Sequence, residues 1–91
     1  MREFAHAAGT VEELSFYQVT KRLARLINKL PAEQLQGSKD DRLTQDDLAA
    51  RLGTVREVVA RSLKELERSG AIDVNRGQIK IVNDDRLVEW T

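Results

Sequence analysis

The amino-acid sequence predicts one mainly α-helical domain that ends in a small β-hairpin. Three observations predict this fold class. An apolar stripe with helical spacing occupies the first third of the chain, and two short helical segments meet at a glycine further on. Two alternating segments then flank Asn75-Arg76-Gly77. The 91 residues suffice for one domain with one core.

The composition excludes several classes of function. Basic and acidic residues number 15 each, so there is no strongly basic tail, although a local basic face remains possible. The chain has no cysteine and one histidine, His6, which excludes disulfides, thiolate chemistry and histidine-based metal sites. No apolar run approaches the roughly 18 residues of a membrane span, and no signal peptide is visible. We therefore expect a soluble cytoplasmic protein without metal or membrane contact.

The first predicted helix covers residues 11–30 and ends before Pro31. Its apolar positions recur at steps of three and four: Phe16, Val19, Leu23, Leu26, Ile27 and Leu30. The first residue of this helix has two possible positions. Either the helix begins at Thr10, which can form a capping box with Glu13, or a longer helix runs through Gly9 from the start of the chain. We favour the longer helix. The polar residues 31–42 predict a surface loop.

A helix-turn-helix unit is predicted next. Thr44 can cap a helix over Gln45–Leu52 that Gly53 ends, and its inner face comprises Leu48, Ala49 and Leu52. A second helix is predicted from about Val55 to Ser69, closed by Gly70. Its predicted apolar face comprises Val55, Val59, Leu63 and Leu66. Two short helices joined by a tight turn with glycine are typical of this motif.

A β-hairpin and a last helical turn complete the chain. The strands 71–74 and 78–82 flank Asn75-Arg76-Gly77, where Asn and Gly tolerate positive φ. Asn83 can start a final turn of helix, from which Leu87 and Trp90 pack back on the core. Together with the preceding helices, this arrangement predicts a winged helix-turn-helix.

The second helix of the motif carries side chains that can read base edges. A major groove about 12 Å wide accepts one α-helix. Opposite the apolar face lie Arg56, Glu57 and Arg61, with the small Ala60 between them. Arg can bond to guanine O6 and N7, and Glu can accept from cytosine N4. The alternative is a solvated face with internal pairs such as Arg61–Glu65.

Six further residues are expected to contact DNA phosphates, which set the register of a complex without reading sequence. Thr44 and Gln45 lie at a helix N-terminus, Thr54 lies in the turn, and three basic residues lie on the second helix or the hairpin. The six residues are Thr44, Gln45, Thr54, Lys64, Arg76 and Lys80. For Arg76, a plain turn residue is an equal alternative.

Residues 43–67, followed by Gly70-Ala71-Ile72, resemble the C-terminal winged helix-turn-helix domain of the Crp/Fnr family of bacterial transcription regulators. The segment 14–25 resembles the family's entry into that domain, so the similarity covers about residues 11–90. The resemblance implies that Arg56, Glu57 and Arg61 occupy base-reading positions for a TGTGA-type half-site. It also places Thr44, Gln45 and Thr54 in regions that touch phosphate. Family members are homodimers on near-palindromic DNA.

The sequence departs from the family pattern at three points. Val55 and Val58 stand where many members carry Ser or Thr, so we expect Thr54 to cap the helix instead. Ser62 stands at an often apolar position, which predicts looser packing. The N-terminal effector domain of the family is absent from the sequence, so we expect no cofactor in this chain. A cyclic nucleotide or other effector, and RNA polymerase, would be partners of the parent regulator.

The expected domain organisation is a stub of the dimerisation helix or a linker over residues 1–13 and the winged helix-turn-helix over 14–91. Part of a dimer seam remains at Phe4, Ala8, Val11 and Leu14. Because isolated helices below about 12–15 residues are marginal, we expect a monomer or a weak homodimer.

Two other functions compete with DNA binding. A winged helix can serve protein contact alone, because fold does not fix function. Against this, residues 51–68 carry five basic and three acidic side chains, a local excess of two positive charges. An enzyme is disfavoured, since Ser15 and His6 lack partners at a motif spacing and no glycine-rich phosphate loop exists. The sequence therefore predicts a double-stranded DNA reader.

Overall fold

The computed structural model describes the backbone of residues 2–91 and the side chains of residues 16–91. Within this range the helices are α1 (Arg2–Lys29), α2 (Ala32–Gln36), α3 (Gln45–Leu52), α4 (Arg56–Arg68) and α5 (Asp84–Trp90). Strands β1 (Ile72–Asn75) and β2 (Gln78–Ile81) form one antiparallel hairpin. The predicted winged helix-turn-helix is thus confirmed.

Helix α1 is continuous from Arg2, so the longer of the two predicted helices is present and Thr10 lies within it rather than at its start. Its inner face buries Leu23, Ala24 and Ile27, as the apolar spacing predicts. This face packs mainly on α4, with α5 and α3 at its flanks. The predicted boundary at residues 13–14 falls inside α1, and the side chains of the predicted dimer seam lie outside the described residues.

The segment 31–42 is not entirely a loop, so this prediction was wrong in part. Pro31 stands at the N-cap of α2, and the helix buries Leu35 against the core. A turn in which Ser38 O accepts from the N–H groups of Asp41 and Arg42 then leads to α3. A five-residue helix with one apolar anchor has too little periodicity to be recognised from sequence.

Helix α3 begins and ends as predicted, at a Thr44 cap and at Gly53 with a left-handed φ of 70°. Helix α4 begins one residue later than predicted. Val55 is its N-cap in extended conformation, makes no side-chain cap, and is 62% exposed, so it does not belong to the apolar face. Thr54 is not the cap either, because it precedes Val55 and its N–H donates to Ala49 O (2.9 Å).

The hairpin pairs Ile72 with Ile81 and Asn75 with Gln78, which leaves a two-residue turn. Positive φ falls on Arg76 (53°) and Gly77 (82°), not on Asn75 as the sequence suggested. Positive φ at both central residues is typical of the type I′ turn, whose twist matches that of the paired strands. Ile72 and Ile79 point to the core.

Helix α5 closes the domain in the predicted way. Asn83 caps it by accepting the N–H of Arg86 (3.1 Å), and Leu87 is fully buried. Trp90 is half-buried and donates its indole N–H to Ser69 Oγ (3.1 Å) just past the end of α4. The C-terminal helix therefore fastens the last turn of α4.

A buried pair of hydroxyls joins α1 to α4. Thr20 and Ser62 are both fully buried, and their oxygens lie 2.9 Å apart. Thr20 also bonds to Phe16 O on its own helix (2.9 Å). Ser62 is thus buried with a hydrogen-bond partner, and no buried side-chain polar atom among the described residues lacks one. The sequence carried no signal for this partner, which is 42 residues away.

We expect Thr20→Val to lower the free energy of unfolding by about 1–3 kcal/mol, because it leaves the Ser62 hydroxyl buried without its partner. The double variant Thr20→Val/Ser62→Ala should lose less than the sum of the two single changes. Urea denaturation of the four proteins gives this double-mutant cycle. Strictly additive losses would show that the two hydroxyls do not stabilise each other.

Candidate nucleic-acid interface

Helix α4 has one buried and one exposed face. Its buried residues are Val59, Ser62, Leu63 and Leu66. Arg56, Glu57 and Arg61, the predicted base readers, are all exposed, together with Lys64. Glu57, Arg61 and Lys64 lie opposite the buried residues, whereas Arg56, two turns before Leu63, lies at the edge between the two faces. With a rise of 1.5 Å per residue, Arg56 and Arg61 lie about 7.5 Å apart along the helix axis. The helix can therefore present them to neighbouring base pairs while its back stays in the core.

The N-terminal end of α4 is open to an external acceptor. The N–H groups of Val58 and Val59 both donate to Val55 O. The N–H groups of Arg56 and Glu57 belong to the first turn, whose donors have no acceptor within the helix. Because Val55 has no side-chain oxygen to cap them, this end keeps its positive partial charge.

A cleft of about 400 Å³ separates the N-terminal end of α3 from the hairpin. Thr44 and Gln45 line one wall, Arg56 lies at the α4 side, and Gly77 marks the tip of the hairpin. The structure thus brings together one predicted base reader and two predicted phosphate contacts. These residues come from separate segments of the chain, and the helix-turn-helix geometry places them at one opening.

The N-terminal end of α3 is already capped by a carboxylate, that of Asp47, and a second acidic residue, Asp46, lines the cleft. Thr44 N–H donates to Asp47 Oδ2 (2.9 Å), and Asp47 N–H donates to Thr44 Oγ1 (3.1 Å), which forms a complete capping box. The backbone hydrogen bond is the main cause that lowers the pKa of Asp47, and the Thr44 hydroxyl and Arg51 lower it further. A phosphate here would have to bond to the first N–H groups of α3 beside Gln45 and away from Asp47.

Arg42 holds the hairpin tip against the rest of the domain, a role that was not predicted from the sequence. Its guanidinium donates to Arg76 O (3.0 Å) and to Gly37 O (3.4 Å). A Cβ on Gly77 would lie 3.1 Å from an Arg42 nitrogen, so glycine permits this close approach. Gln78 Nε2 adds a bond to Gln36 O (3.0 Å) at the end of α2. A single arginine in a polar segment offers no local signal for such contacts.

The remaining predicted phosphate residues lie around the cleft rather than in it. Arg76 is exposed at the tip of the hairpin, and its backbone is held by Arg42. Lys80 lies on the outer face of the hairpin directly across from Asp73, whose charge reduces the local positive potential. Thr54 is half-buried in the turn. The roles of these three residues stay predictions.

A second groove, of about 390 Å³, runs along the exposed side of α4 toward its C-terminal end. It is lined by Phe16 of α1 and by Arg61, Lys64, Glu65 and Arg68. The guanidinium carbon of Arg61 lies over the Phe16 ring, 4.7 Å from its centroid. Glu65 pairs with Arg68 (2.6 Å), so this pair stands in place of the Arg61–Glu65 pair that the sequence offered as an alternative.

A further cluster of basic residues lies on the other side of α1. It comprises Arg22, Arg25 and Lys29 with Arg51 of α3, around Leu26 and Leu52. Arg22 is exposed, whereas the face of α1 that meets α4 carries Thr20, Leu23 and Ile27. The cluster therefore lies on the side of α1 that faces away from α4.

The described part of the chain shows no sign of a metal centre or a membrane span. Among these residues, no three His, Cys, Asp or Glu side chains converge in a way that could hold a metal ion. Over the same range, every helix is too short or too polar to span a bilayer.

The comparison with known protein families decides the identity of this domain. Residues 21–90 match the family model of the Crp-like helix-turn-helix domain. The chain belongs to the Crp/Fnr family. It is a DNA-binding domain of the kind that bacterial transcription regulators carry, and its relatives are such regulators.

Individual relatives of this Crp/Fnr domain agree with the family assignment. The transcriptional regulator SdrP of Thermus thermophilus is 30% identical over 89 residues, which are 93% of this chain and 44% of that protein. A solved CRP/FNR-family regulator from the same organism is 29% identical with a TM-score of 0.66, covering 98% of this chain and 48% of that one. The chain thus spans less than half of these relatives.

Two more solved structures share the fold of the Crp/Fnr domain. The catabolite activator protein of Thermus thermophilus is 25% identical, with a TM-score of 0.76 over 98% of this chain and 41% of that one. The reduced CO-sensing protein of R. rubrum has a TM-score of 0.82 over 99% of this chain and 44% of that one. At 22% identity, the second likeness shows the fold alone.

The capping box predicts how the stability of the Crp/Fnr domain depends on pH. Because the pKa of Asp47 is lower in the folded than in the unfolded state, the unfolded state takes up this proton first on acidification. The contribution of Asp47 is therefore complete above its ordinary pKa of 3.8 and is lost as the pH falls through the folded value.

Urea denaturation between about pH 6 and pH 2.5, across this titration, should test the contribution of Asp47. We expect the difference in stability between the wild type and Asp47→Asn to shrink toward the acid end. Asp46→Asn is the matched control, since the structure gives Asp46 no part in the capping box. A wild-type advantage over Asp47→Asn that is constant with pH would contradict the assignment.

Proposed function

We propose that α4 enters the major groove of double-stranded DNA and reads a TGTGA-like half-site with Arg56, Glu57 and Arg61. The observation that supports this proposal is the exposure of these three side chains on a helix whose other side is buried in the core. A helix that reads DNA needs such a rigid back and hydrogen-bonding side chains toward its N-terminal end. Both features are present in α4.

The hydrogen-bonding groups of the two arginines suit this half-site. Each guanidinium can bond to O6 and N7 of one guanine of TGTGA. The two guanines are two base steps, about 6.8 Å, apart, and the long side chains of Arg56 and Arg61, about 7.5 Å apart along α4, would have to reach both. Glu57, beside Arg56, is suited to accept from the N4 amino group of a cytosine on the opposite strand.

Phosphate contacts would fix the helix in this register. We propose Thr44, Gln45 and Thr54 for the backbone on one side of the groove, and Arg76 and Lys80 of the hairpin for the other side. Lys64, exposed on α4, would reach a phosphate beyond the base contacts. The open N-terminal end of α4 supplies additional donors for phosphate oxygens.

The proposal extends to partners that the domain would have in a full-length regulator. A near-palindromic site requires two copies whose α4 helices lie about 34–36 Å apart, one turn of DNA. A weak homodimer through α1 would supply them, and RNA polymerase would be the partner of the parent regulator. A DNA reader of this class acts in the cytoplasm, and we propose no catalytic activity for it.

A random-duplex selection with this chain tests the proposed half-site, followed by titration of the enriched duplex at about 50 and 200 mM salt, a range over which phosphate contacts weaken markedly. We expect enrichment of TGTGA-like sequences and a steep loss of affinity as salt rises. A domain that serves protein contact alone would enrich no sequence. Enrichment of an unrelated sequence would keep DNA reading and reject the half-site.

Removing a base-reading side chain should change specificity as well as affinity. We expect Arg61→Ala to lower the affinity for the selected duplex by about 1–3 kcal/mol and to relax the preference at one base pair. Lys80→Ala should weaken all duplexes alike and reduce the salt slope by about one. Fluorescence anisotropy with the selected and scrambled duplexes measures both. Equal losses of Arg61→Ala on the two duplexes would reject base reading by Arg61.

The proposed orientation also predicts a residue that DNA does not touch. Arg22 belongs to the basic cluster on the far side of α1, so Arg22→Gln should leave the affinity and the salt slope unchanged. Lys64→Gln, which removes one positive charge from α4, is the matched comparison and should reduce both. If Arg22→Gln weakened binding as much as Lys64→Gln does, the DNA would have to lie against another face of the domain.

A further inference from the structure

The contact between Arg61 and Phe16 connects a proposed base reader to α1. The Arg61 guanidinium lies over the Phe16 ring at 4.7 Å, within the distance of a cation–π interaction. Two acidic residues lie one turn from Arg61 on α4, Glu57 and Glu65. Among the described residues Glu65 pairs with Arg68 at 2.6 Å, and neither glutamate pairs with Arg61. The contact that the described residues provide for this guanidinium is therefore an aromatic face.

The position of Phe16 determines the direction in which Arg61 extends. Phe16 lines a groove with Lys64, Glu65 and Arg68, which belong to the C-terminal half of α4. The ring of Tyr17, the next residue of α1, packs against the ring of Trp90, with 5.9 Å between the ring centroids. Trp90 donates its indole N–H to Ser69 Oγ just beyond the end of α4. Thr20, one turn further along α1, meets Ser62. This end of α1 thus lies beside the C-terminal half of α4.

Base edges are met at the other end of such a helix, near its N-terminus. When the guanidinium of Arg61 lies on the Phe16 ring, it is directed away from Arg56 and Glu57. We propose that Phe16 is a positioning residue that holds Arg61 in a retracted conformation, which Arg61 leaves in order to bind a base. This inference rests on the proposed base-reading role of Arg61.

The relative strengths of the two contacts give this arrangement a consequence for specificity. A cation–π contact at an exposed site changes an equilibrium by about two- to fivefold. A good bidentate contact to the right base is stronger, about fivefold to 150-fold. A matching guanine can therefore draw Arg61 off the ring, whereas a base that offers one poor hydrogen bond leaves it there.

Phe16→Leu tests the proposal, because leucine keeps an apolar side chain on α1 but removes the aromatic face. We expect the variant to bind the selected half-site about two- to fivefold more tightly, since Arg61 no longer has to leave the ring. A duplex altered at the base pair that Arg61 reads should show no such gain. The gain should also be absent when Phe16→Leu is combined with Arg61→Ala.

Two control variants separate the ring contact from general effects on α1. Phe16→Tyr keeps the ring and should retain wild-type affinity. Tyr17→Leu makes a similar change at the neighbouring residue, whose ring faces Trp90, and should leave DNA affinity unchanged. Thermal denaturation of each variant shows that the compared proteins are folded at the temperature of the titrations.

A spectroscopic readout follows the guanidinium directly. In the free protein the Arg61 Hε resonance should carry an upfield ring-current shift, which Phe16→Leu removes and Phe16→Tyr retains. Binding of the selected duplex should remove it in the wild type. A free protein without this shift, or a complex that keeps it, overturns the proposal.

The affinities distinguish failure of this inference from failure of the proposed function. If Arg61→Ala reduces discrimination while Phe16→Leu leaves the wild-type affinity unchanged or weaker, Arg61 reads DNA and the retracting role of Phe16 is wrong. If Arg61→Ala leaves discrimination intact, base reading by Arg61 is wrong and the inference fails with it.

Discussion

The packing of α4 on α1 is the constraint on which the rest of this structure depends. Each residue turns a helix by about 100°, so a rotation of α4 by one such step would move exposed positions into the core and buried positions out of it. Apolar contacts through Leu63 and Leu66 favour burial but tolerate some rotation. The Thr20–Ser62 hydrogen bond tolerates much less, because either hydroxyl would lose its inter-helix partner while it stays buried. The outward direction of Arg56, Glu57 and Arg61 follows from this register.

Several groups contribute both to the fold and to the proposed DNA face. Thr44 caps α3 and lines the cleft, and Asp47 completes the cap and so limits how an anion can approach this helix end. Arg42 joins the hairpin tip to Gly37 and so keeps Gly77 near the cleft. Because such residues hold the backbone on either side of α4, the proposed phosphate contacts and base contacts are parts of one rigid frame.

The zero net charge of the chain conceals a separation of charge on its surface. Arg56, Arg61 and Lys64 stand on the exposed face of α4, where Glu57 is the acidic residue among the proposed readers. Some exposed acidic residues lie elsewhere, for example Asp84 and Asp85 at the start of α5, whereas Asp46 and Asp47 stand at the N-terminal end of α3 beside the cleft. Exposed charges more than about 8–10 Å apart are largely screened at physiological salt, so the local face matters more for a DNA partner than the total.

The sequence by itself determined the elements whose signals are local: the buried faces of α1, α3 and α4, the caps at Thr44 and Asn83, the hairpin, and the exposure of the three proposed readers. Each of these follows from spacing over a few residues. Where the local signal was weak, the prediction failed, as with the short helix α2 around Leu35 and the exposed Val55 at the one-residue boundary of α4. Only the tertiary structure decided the contacts between distant segments, namely Thr20 with Ser62, Arg42 with Arg76 and Phe16 with Arg61. The physical reason is that such contacts depend on how whole helices pack, and no local pattern of residues encodes that packing.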